Sequence, residues 1–276
     1  MFKKIFILLF FVSIILGNQL SKEEKDIILR SLSKEKYFLY QDIIINGQIV
    51  WQGVGPNCSQ RYECIKKILD QYNRPIKVLD LGASNGYFSF RIAQDYQALC
   101  VMMDTSDRLL DICFLNNRLK GIVYLKQLIT LQALSLLAEY EHFDIVLAFN
   151  ILHHVSSCKQ ITDLLFKLGD IVIIETPPAN DPRVHIKNNI PFLEQYLLAK
   201  MNLSGGKILG SILRPMPQQF DHISCMSVDL DLFNQIQYCE NVYSKIFCFG
   251  TINNQMYSNL FFNKDIYNAL GGVYYQ

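Results

Sequence analysis

Asp80-Leu81-Gly82-Ala83-Ser84-Asn85-Gly86 ends one apolar run and precedes another, and its residue types suit a ligand better than a simple bend. Glycine permits positive φ and close backbone approach, so Gly82 and Gly86 predict a tight strand-to-helix turn against which a ligand can lie. A plain turn would account for one glycine and would leave the aspartate unexplained. The spacing is G-x-x-x-G, whereas a dinucleotide fingerprint reads G-x-G-x-x-G. Asp104 follows roughly twenty residues past the turn, the separation at which an acidic side chain reaches ribose hydroxyls. Helix capping is the alternative for Asp104, since Thr105, Ser106 and Asp107 follow it directly. Further on, Asn150 precedes Ile151-Leu152-His153-His154. Neutral imidazole takes a proton from a hydroxyl or amine near working pH, which makes His153 and His154 candidate catalytic bases; packing or capping is the plainer role for either ring.

These residues need elements to hold them, and the pattern supplies a strand before each one. The runs 76–81, 98–104, 121–126, 143–150 and 170–175 are strand candidates. The intervening segments 87–94, 107–119, 131–140 and 158–168 have helical spacing. Strands apolar on both faces, alternating with amphipathic helices, predict an α/β fold with a doubly wound, mostly parallel sheet covered on two sides. Ligands bind such a sheet outside the carboxyl ends of its strands, which is where the acids, glycines, Asn150 and histidines fall. Upstream, residues 21–39 read as a surface helix. Asn46-Gly47 between two β-branched runs predicts a hairpin, and residues 58–72 predict a helix ending before Pro75. Downstream, residues 190–201 read as a helix, 205–212 as a turn and short strand, and 245–252 as a late strand at the sheet edge.

The combination of the glycine turn, the acidic end of the second strand and the segment "FDIVLAFNILHHV" resembles the class I S-adenosylmethionine-dependent methyltransferases. In that superfamily the first strand ends in D/E-x-G-x-G-x-G, and Ser84 stands here where the middle glycine usually is. The resemblance covers residues 74–178. It implies S-adenosylmethionine as cofactor, cradled by Asp80, Gly82, Ser84, Asn85 and Gly86. Asp80 would lie near the methionyl ammonium, Asp104 at the ribose, Gln127 on the adenine side and Asn150 at the methionyl part. It also implies a Rossmann-like methyltransferase fold over 75–276, with its core at 75–178 and a helix/hairpin extension at 21–74. Glu175 ends the fifth strand as a further acid, open to orienting the acceptor or to a structural role. Trp51, Phe192, Tyr196 and Phe220 are candidate acceptor walls, with core packing as their alternative.

Composition narrows the partners. The chain has 276 residues, is 50% hydrophobic and carries a net charge of +1, so it can bury a large core and lacks the basic footprint of a nucleic-acid binder. Eight cysteines are scattered without a CxxC pair or zinc-ligand spacing, so no metal is expected. Cys100 and Cys113 read as buried thiols. Residues 1–20 place Lys3 and Lys4 before an apolar run shorter than the roughly 20 residues that span a bilayer. A cleaved secretory signal and an uncleaved membrane anchor are the two main readings, and a core helix is the third. The expected location is therefore exported or membrane-anchored, with membrane association through residues 1–20. Export would permit disulfides between other cysteines. The two lysines orient the domain outside, while S-adenosylmethionine is made in the cytosol, so a cytoplasm-facing domain stays open.

The expected function is methyl transfer from S-adenosylmethionine to an unidentified acceptor. A catalytically silent binding or regulatory protein on the same fold is the alternative, and a nucleotide-dependent oxidoreductase is disfavoured by the glycine spacing. The Pro177-Pro178 pair follows the fifth strand rather than Asn150, so the chain lacks the motif of methyltransferases acting on exocyclic base amines.

Overall fold

Asn46 and Gly47 have φ of +50° and +79°, the pair of left-handed conformations that a tight two-residue hairpin requires. They join β1 (Ile43–Ile45) to β2 (Gln48–Trp51) in an antiparallel pair, so the N-terminal hairpin is present as expected. The structure is a computed structural model that describes residues 41–53, 57–116, 119–177, 190–204, 206–213, 243–250, 252 and 264–275. The segments 1–20 and 21–39 and the residue Phe220 lie outside these, as does the side chain of Phe192. No helix among the described residues is long and apolar enough to cross a membrane.

Helix α1 (Cys58–Leu69) starts at Asn57, whose side chain accepts the Gln60 N–H at 2.9 Å and so satisfies one orphan donor of the first turn. The strand and helix rhythm then runs β3 (Lys77–Leu81), α2 (Tyr87–Tyr96), β4 (Leu99–Asp104), α3 (Asp107–Leu115) and β5 (Ile122–Lys126). It continues through α4 (Leu131–Tyr140), β6 (Phe143–Phe149), a single 3₁₀ turn (Leu152–His154), α5 (Cys158–Leu168) and β7 (Gly169–Thr176). Later come α6 (Ile190–Ser204), β8 (Lys207–Leu213), β9 (Tyr243–Gly250), α7 (Lys264–Ala269) and β10 (Gly272–Tyr275).

Eight strands form one sheet in the order β10-β5-β4-β3-β6-β7-β9-β8. From β5 to β7 the neighbours are parallel, whereas β9 runs antiparallel between β7 and β8, and β10 runs antiparallel beside β5. The late strand, expected at the edge, is therefore internal, and β8 takes that edge. The reason is packing: Ile246, Phe247, Cys248 and Phe249 are all buried, so β9 needs cover on both faces.

Successive side chains alternate between two cores. Val78, Cys100, Met102, Ile145, Leu147 and Ile173 face the hairpin and helices α1, α2 and α3. Leu79, Val101, Val123, Val146 and Val172 face α4, α5, α6 and α7. Asp80 and Glu175 have the parity of the first set, so both acids point toward α1 and α2. Arg61 of α1 reaches down to meet them. Its guanidinium pairs with Glu175, and both side chains are fully buried. It also lies over the Phe88 and Phe149 rings at 5.0 and 5.1 Å. Removing one member of a fully buried pair leaves an uncompensated charge, at a cost of about 3–5 kcal/mol. Arg61→Met is expected to lose that much in urea unfolding, and Arg61→Met/Glu175→Gln to recover part of it. An unchanged unfolding midpoint in the single variant would refute the assignment.

Candidate functional site

The strand order reverses at β3. Its chain successors β4 and β5 lie on one side, and β6 and β7 on the other. The loops leaving β3 and β6 diverge there and open a crevice at the carboxyl ends. Into it faces a cavity of about 240 Å³. Gly82 and Ser84 line it from the turn after β3, and Asp104 from the end of β4. Phe149, Asn150 and Ile151 line it from the end of β6, His153 and His154 from the 3₁₀ turn, and Gln41 from the chain before β1.

The turn is shaped by three left-handed residues, Gly82 (φ +70°), Ser84 (φ +56°) and Gly86 (φ +74°). At Gly82 the need for glycine is twofold, because a Cβ there would also sit 2.6 Å from Ile151 Cγ1. Gly82 N–H donates to the Met103 carbonyl and Gly86 N–H to the Ala83 carbonyl, each at 2.8 Å. Ser84 N–H donates to Asp104 Oδ2 at 2.8 Å, and Ser106 N–H donates to Asp104 Oδ1 at 2.9 Å. The Tyr124 hydroxyl lies 3.0 Å from the Asp104 carbonyl and 2.8 Å from that of Ser106, which fixes the same corner from β5. Asp104 therefore braces two loops while lining the cavity. Each carboxylate oxygen keeps a second lone pair for a ligand hydroxyl.

Asn150 is left-handed (φ +52°), and its N–H donates to the Glu175 carbonyl at 2.9 Å. This turns the chain out of β6 and sets the 3₁₀ turn beside the cavity. His153 is buried and His154 exposed, with ring centroids 3.9 Å apart. Phe149 and Ile151 supply apolar wall.

Of the residues singled out from the sequence, Gly82, Ser84, Asp104, Asn150, His153 and His154 meet at this cavity. Four others are placed around it. Asp80 is buried behind the turn, where Ser89 Oγ donates to its Oδ2 at 2.8 Å. Asn85 is fully buried, and its Nδ2 donates to the Gln41 carbonyl at 2.6 Å. Gly86 begins α2. Gln127 is half-buried past the end of β5, its N–H donating to the Asp104 carbonyl at 2.9 Å. Glu175 pairs with Arg61 away from the cavity lining, Trp51 packs against the hairpin-side core, and the Tyr196 hydroxyl donates to Asp163. Phe149, Ile151 and Gln41 are lining residues that sequence reading missed; the first two flank Asn150, whereas Gln41 is remote in sequence. It stood as a flank of the predicted hairpin, and nothing local marks a residue buried by a turn more than forty positions away.

The chemistry of the lining suits a sulfonium ligand. Asp104 contributes an acid, and among the described residues no lysine or arginine lines the cavity, so the field favours a cation over a pyrophosphate. The volume is below the roughly 300–1,000 Å³ usual for whole small-molecule sites.

Residues 78–169 match a family model described as a methyltransferase domain. Among curated proteins the chain is similar to the O-antigen chain terminator bifunctional methyltransferase/kinase WbdD of Escherichia coli. The two are 26% identical over 166 residues, covering 56% of this chain and 23% of that protein. The match thus spans less than a quarter of the relative's length. A crystal structure of WbdD with the kinase inhibitor LY294002 superposes at a TM-score of 0.55 and 17% identity, covering 83% of this chain and 49% of that one. The N-terminal domain of EvdMO1 with SAH bound gives 0.52 at 11% identity, covering 86% of this chain and 100% of that one. At these identities the likeness is one of fold, the Rossmann-like methyltransferase fold.

One titration can be read from this geometry. Burial pushes the Asp80 carboxyl from 3.8 up to about 6; the Ser89 hydroxyl opposes this, the nearby Asp104 adds to it, and Arg61 opposes it. The folded-state value lies above the unfolded one, so this contribution to stability is full below about pH 4 and is lost as pH rises through about 6. Its size is on the order of 2–3 kcal/mol. Urea titrations from pH 4 to 7 are expected to show that decline in the wild type and a flatter profile in Asp80→Asn. The same slope in both proteins would assign the decline elsewhere.

Proposed function

We propose that this chain, a class I S-adenosylmethionine-dependent methyltransferase by the domain it carries at residues 78–169, methylates an acceptor that enters at the His153–His154 end of the cavity. The observation that carries this reading is Asp104. Its carboxylate is fixed by the Ser84 and Ser106 N–H groups at 2.8 and 2.9 Å, faces the cavity, and keeps one lone pair on each oxygen. That is the arrangement needed to grip the two hydroxyls of a ribose. Gly82 gives the ligand an unobstructed surface, and Asn150 borders the amino-acid end.

When bound, S-adenosylmethionine supplies a methyl group already attached to a good leaving group. The protein's task is then mainly alignment, for which near-attack positioning contributes most of the rate. Phe149 and Ile151 exclude water that would otherwise compete with the acceptor. A ring nitrogen of His153 or His154 takes the acceptor's proton when the nucleophile is a hydroxyl or protonated amine. Of the two activities in the relative's name, methyl transfer is the one the 78–169 domain supports.

Calorimetry on the full chain tests the reading. S-adenosylmethionine and S-adenosylhomocysteine are expected to bind and NAD to leave no heat. Asp104→Ala is expected to weaken both sulfur ligands at least about tenfold, the loss of one charged hydrogen-bonding group. With an acceptor found by screening hydroxyl, amine and carboxyl compounds for S-adenosylhomocysteine release, alanine at the histidine acting as base should lower kcat by about 10²–10⁴ while leaving S-adenosylhomocysteine affinity unchanged. Wild-type protein that binds neither sulfur ligand would sink the proposal.

A further inference from the structure

Gln41 lies well before the segment that the family model matches, yet it is 2% exposed and lines the cavity. It is held twice by the turn beneath it. Its carbonyl accepts from Asn85 Nδ2 at 2.6 Å, and its Oε1 accepts the Tyr87 N–H at 3.4 Å. With Oε1 turned to the start of α2, Nε2 is the polar end that the carboxamide offers to the cavity. The backbone on either side of the hairpin is fixed as well. Asp42 Oδ1 accepts the Gly53 N–H at 2.7 Å, Asn116 Nδ2 donates to the Ile44 carbonyl at 2.8 Å, and Asn46 N–H donates to Asn116 Oδ1 at 3.0 Å. Gln41 is thus a placed side chain on a rigid segment, which is what a recognition residue requires.

The cofactor has one anionic group, the methionyl carboxylate, and the lining offers it no lysine or arginine among the described residues. Arg61, whose guanidinium lies against the lining residue Phe149, is paired with Glu175 and fully buried under Phe149 and Phe88. Backbone donors at the crevice are occupied too. Gly82 N–H serves Met103, Ser84 N–H serves Asp104, Gly86 N–H serves Ala83, and Asn150 N–H serves Glu175. With these four N–H groups engaged, the donors that the lining side chains offer a carboxylate are the Gln41 and Asn150 amides, the Ser84 hydroxyl and the histidine rings, and of these Gln41 is the one held in place by the turn.

We propose that Gln41 is a positioning residue for the amino-acid end of the cofactor, its Nε2 donating to the methionyl carboxylate, with Asn85 as the latch that holds it. This rests on the cofactor reading above and extends the site to the N-terminal segment. A hydrogen bond to a charged group contributes about 1.5–3 kcal/mol, which is roughly a 10- to 150-fold change in Kd.

The test is calorimetry of the full chain with two ligands that differ in one group, S-adenosylhomocysteine and its decarboxylated analogue. Gln41→Ala and Asn85→Ala should weaken S-adenosylhomocysteine at least about tenfold and leave the analogue within about twofold of wild type. Gln41→Glu, close to isosteric, sets one carboxylate against another; it should weaken S-adenosylhomocysteine further and spare the analogue. Equal losses for both ligands would make Gln41 a structural residue and overturn the proposal, as would no loss for either. Wild-type protein that fails to bind S-adenosylhomocysteine would overturn the cofactor reading itself, whereas unselective variants of a binding wild type overturn this inference alone.

Discussion

The fully buried Arg61–Glu175 pair is the constraint on which the geometry around the cavity depends. Two ions removed from water are tolerated only when each compensates the other and packing excludes solvent. Here Phe88 and Phe149 close over the guanidinium at 5.0 and 5.1 Å. The pair ties α1, which precedes the sheet, to the carboxyl end of β7. The same Glu175 uses its carbonyl to hold the Asn150 N–H, and Phe149 is both a cover for the guanidinium and a wall of the cavity. A shift of Arg61 would therefore move the ring that bounds the ligand space and the bond that shapes the β6 exit. Burial pushes the carboxyls of Asp80 and Asp42 up, and the Arg61 charge opposes that at both, so one cation acts on acids of three separate segments.

A second constraint separates this crevice from a phosphate site. Helix N-termini bind phosphate because their N–H groups point at the ligand. In this turn the N–H groups of Gly82, Ser84 and Gly86 all serve acceptors within the protein. The left-handed residues bend the chain away from the ligand space instead of presenting donors to it. The side chains that line the cavity in their place include Asp104, Gln41 and the two histidines. The G-x-x-x-G spacing noted in the sequence is the outward sign of that difference.

What the sequence showed and hid follows from the range of each interaction. The β/α rhythm depends on local periodicity, and α5 falls at Cys158–Leu168 as read. Of the two readings of Asp104, helix capping is not the one realised: Ser106 occupies the cap position, and Asp104 accepts the Ser106 N–H in the turn before the helix while lining the cavity. Glu175 was legible as a strand-end acid, but its partner lies more than a hundred residues earlier on a helix whose pattern gives no sign of a buried arginine. Gln41 was hidden for the same reason. The last elements, α7 and β10, were missed because a six-residue helix has too few turns to show a periodicity, and Gly271-Gly272 reads as a loop.

The boundaries of sequence similarity and of physical structure consequently differ. The matched segment, residues 78–169, contains the glycine turn, Asp104 and both histidines. It omits nearly all of β7, whose Glu175 carbonyl fixes Asn150, and omits Arg61 and Gln41 entirely. Stripped of the hairpin and α1, the sheet face built from Val78, Cys100, Met102, Ile145 and Leu147 would lose much of its cover, exposing a broad apolar surface to water at about 25 cal/mol per Å². Asp80 would lose the Arg61 charge that opposes its burial. The part of the chain that builds this crevice is thus larger than the segment that similarity detects, and it includes Gln41.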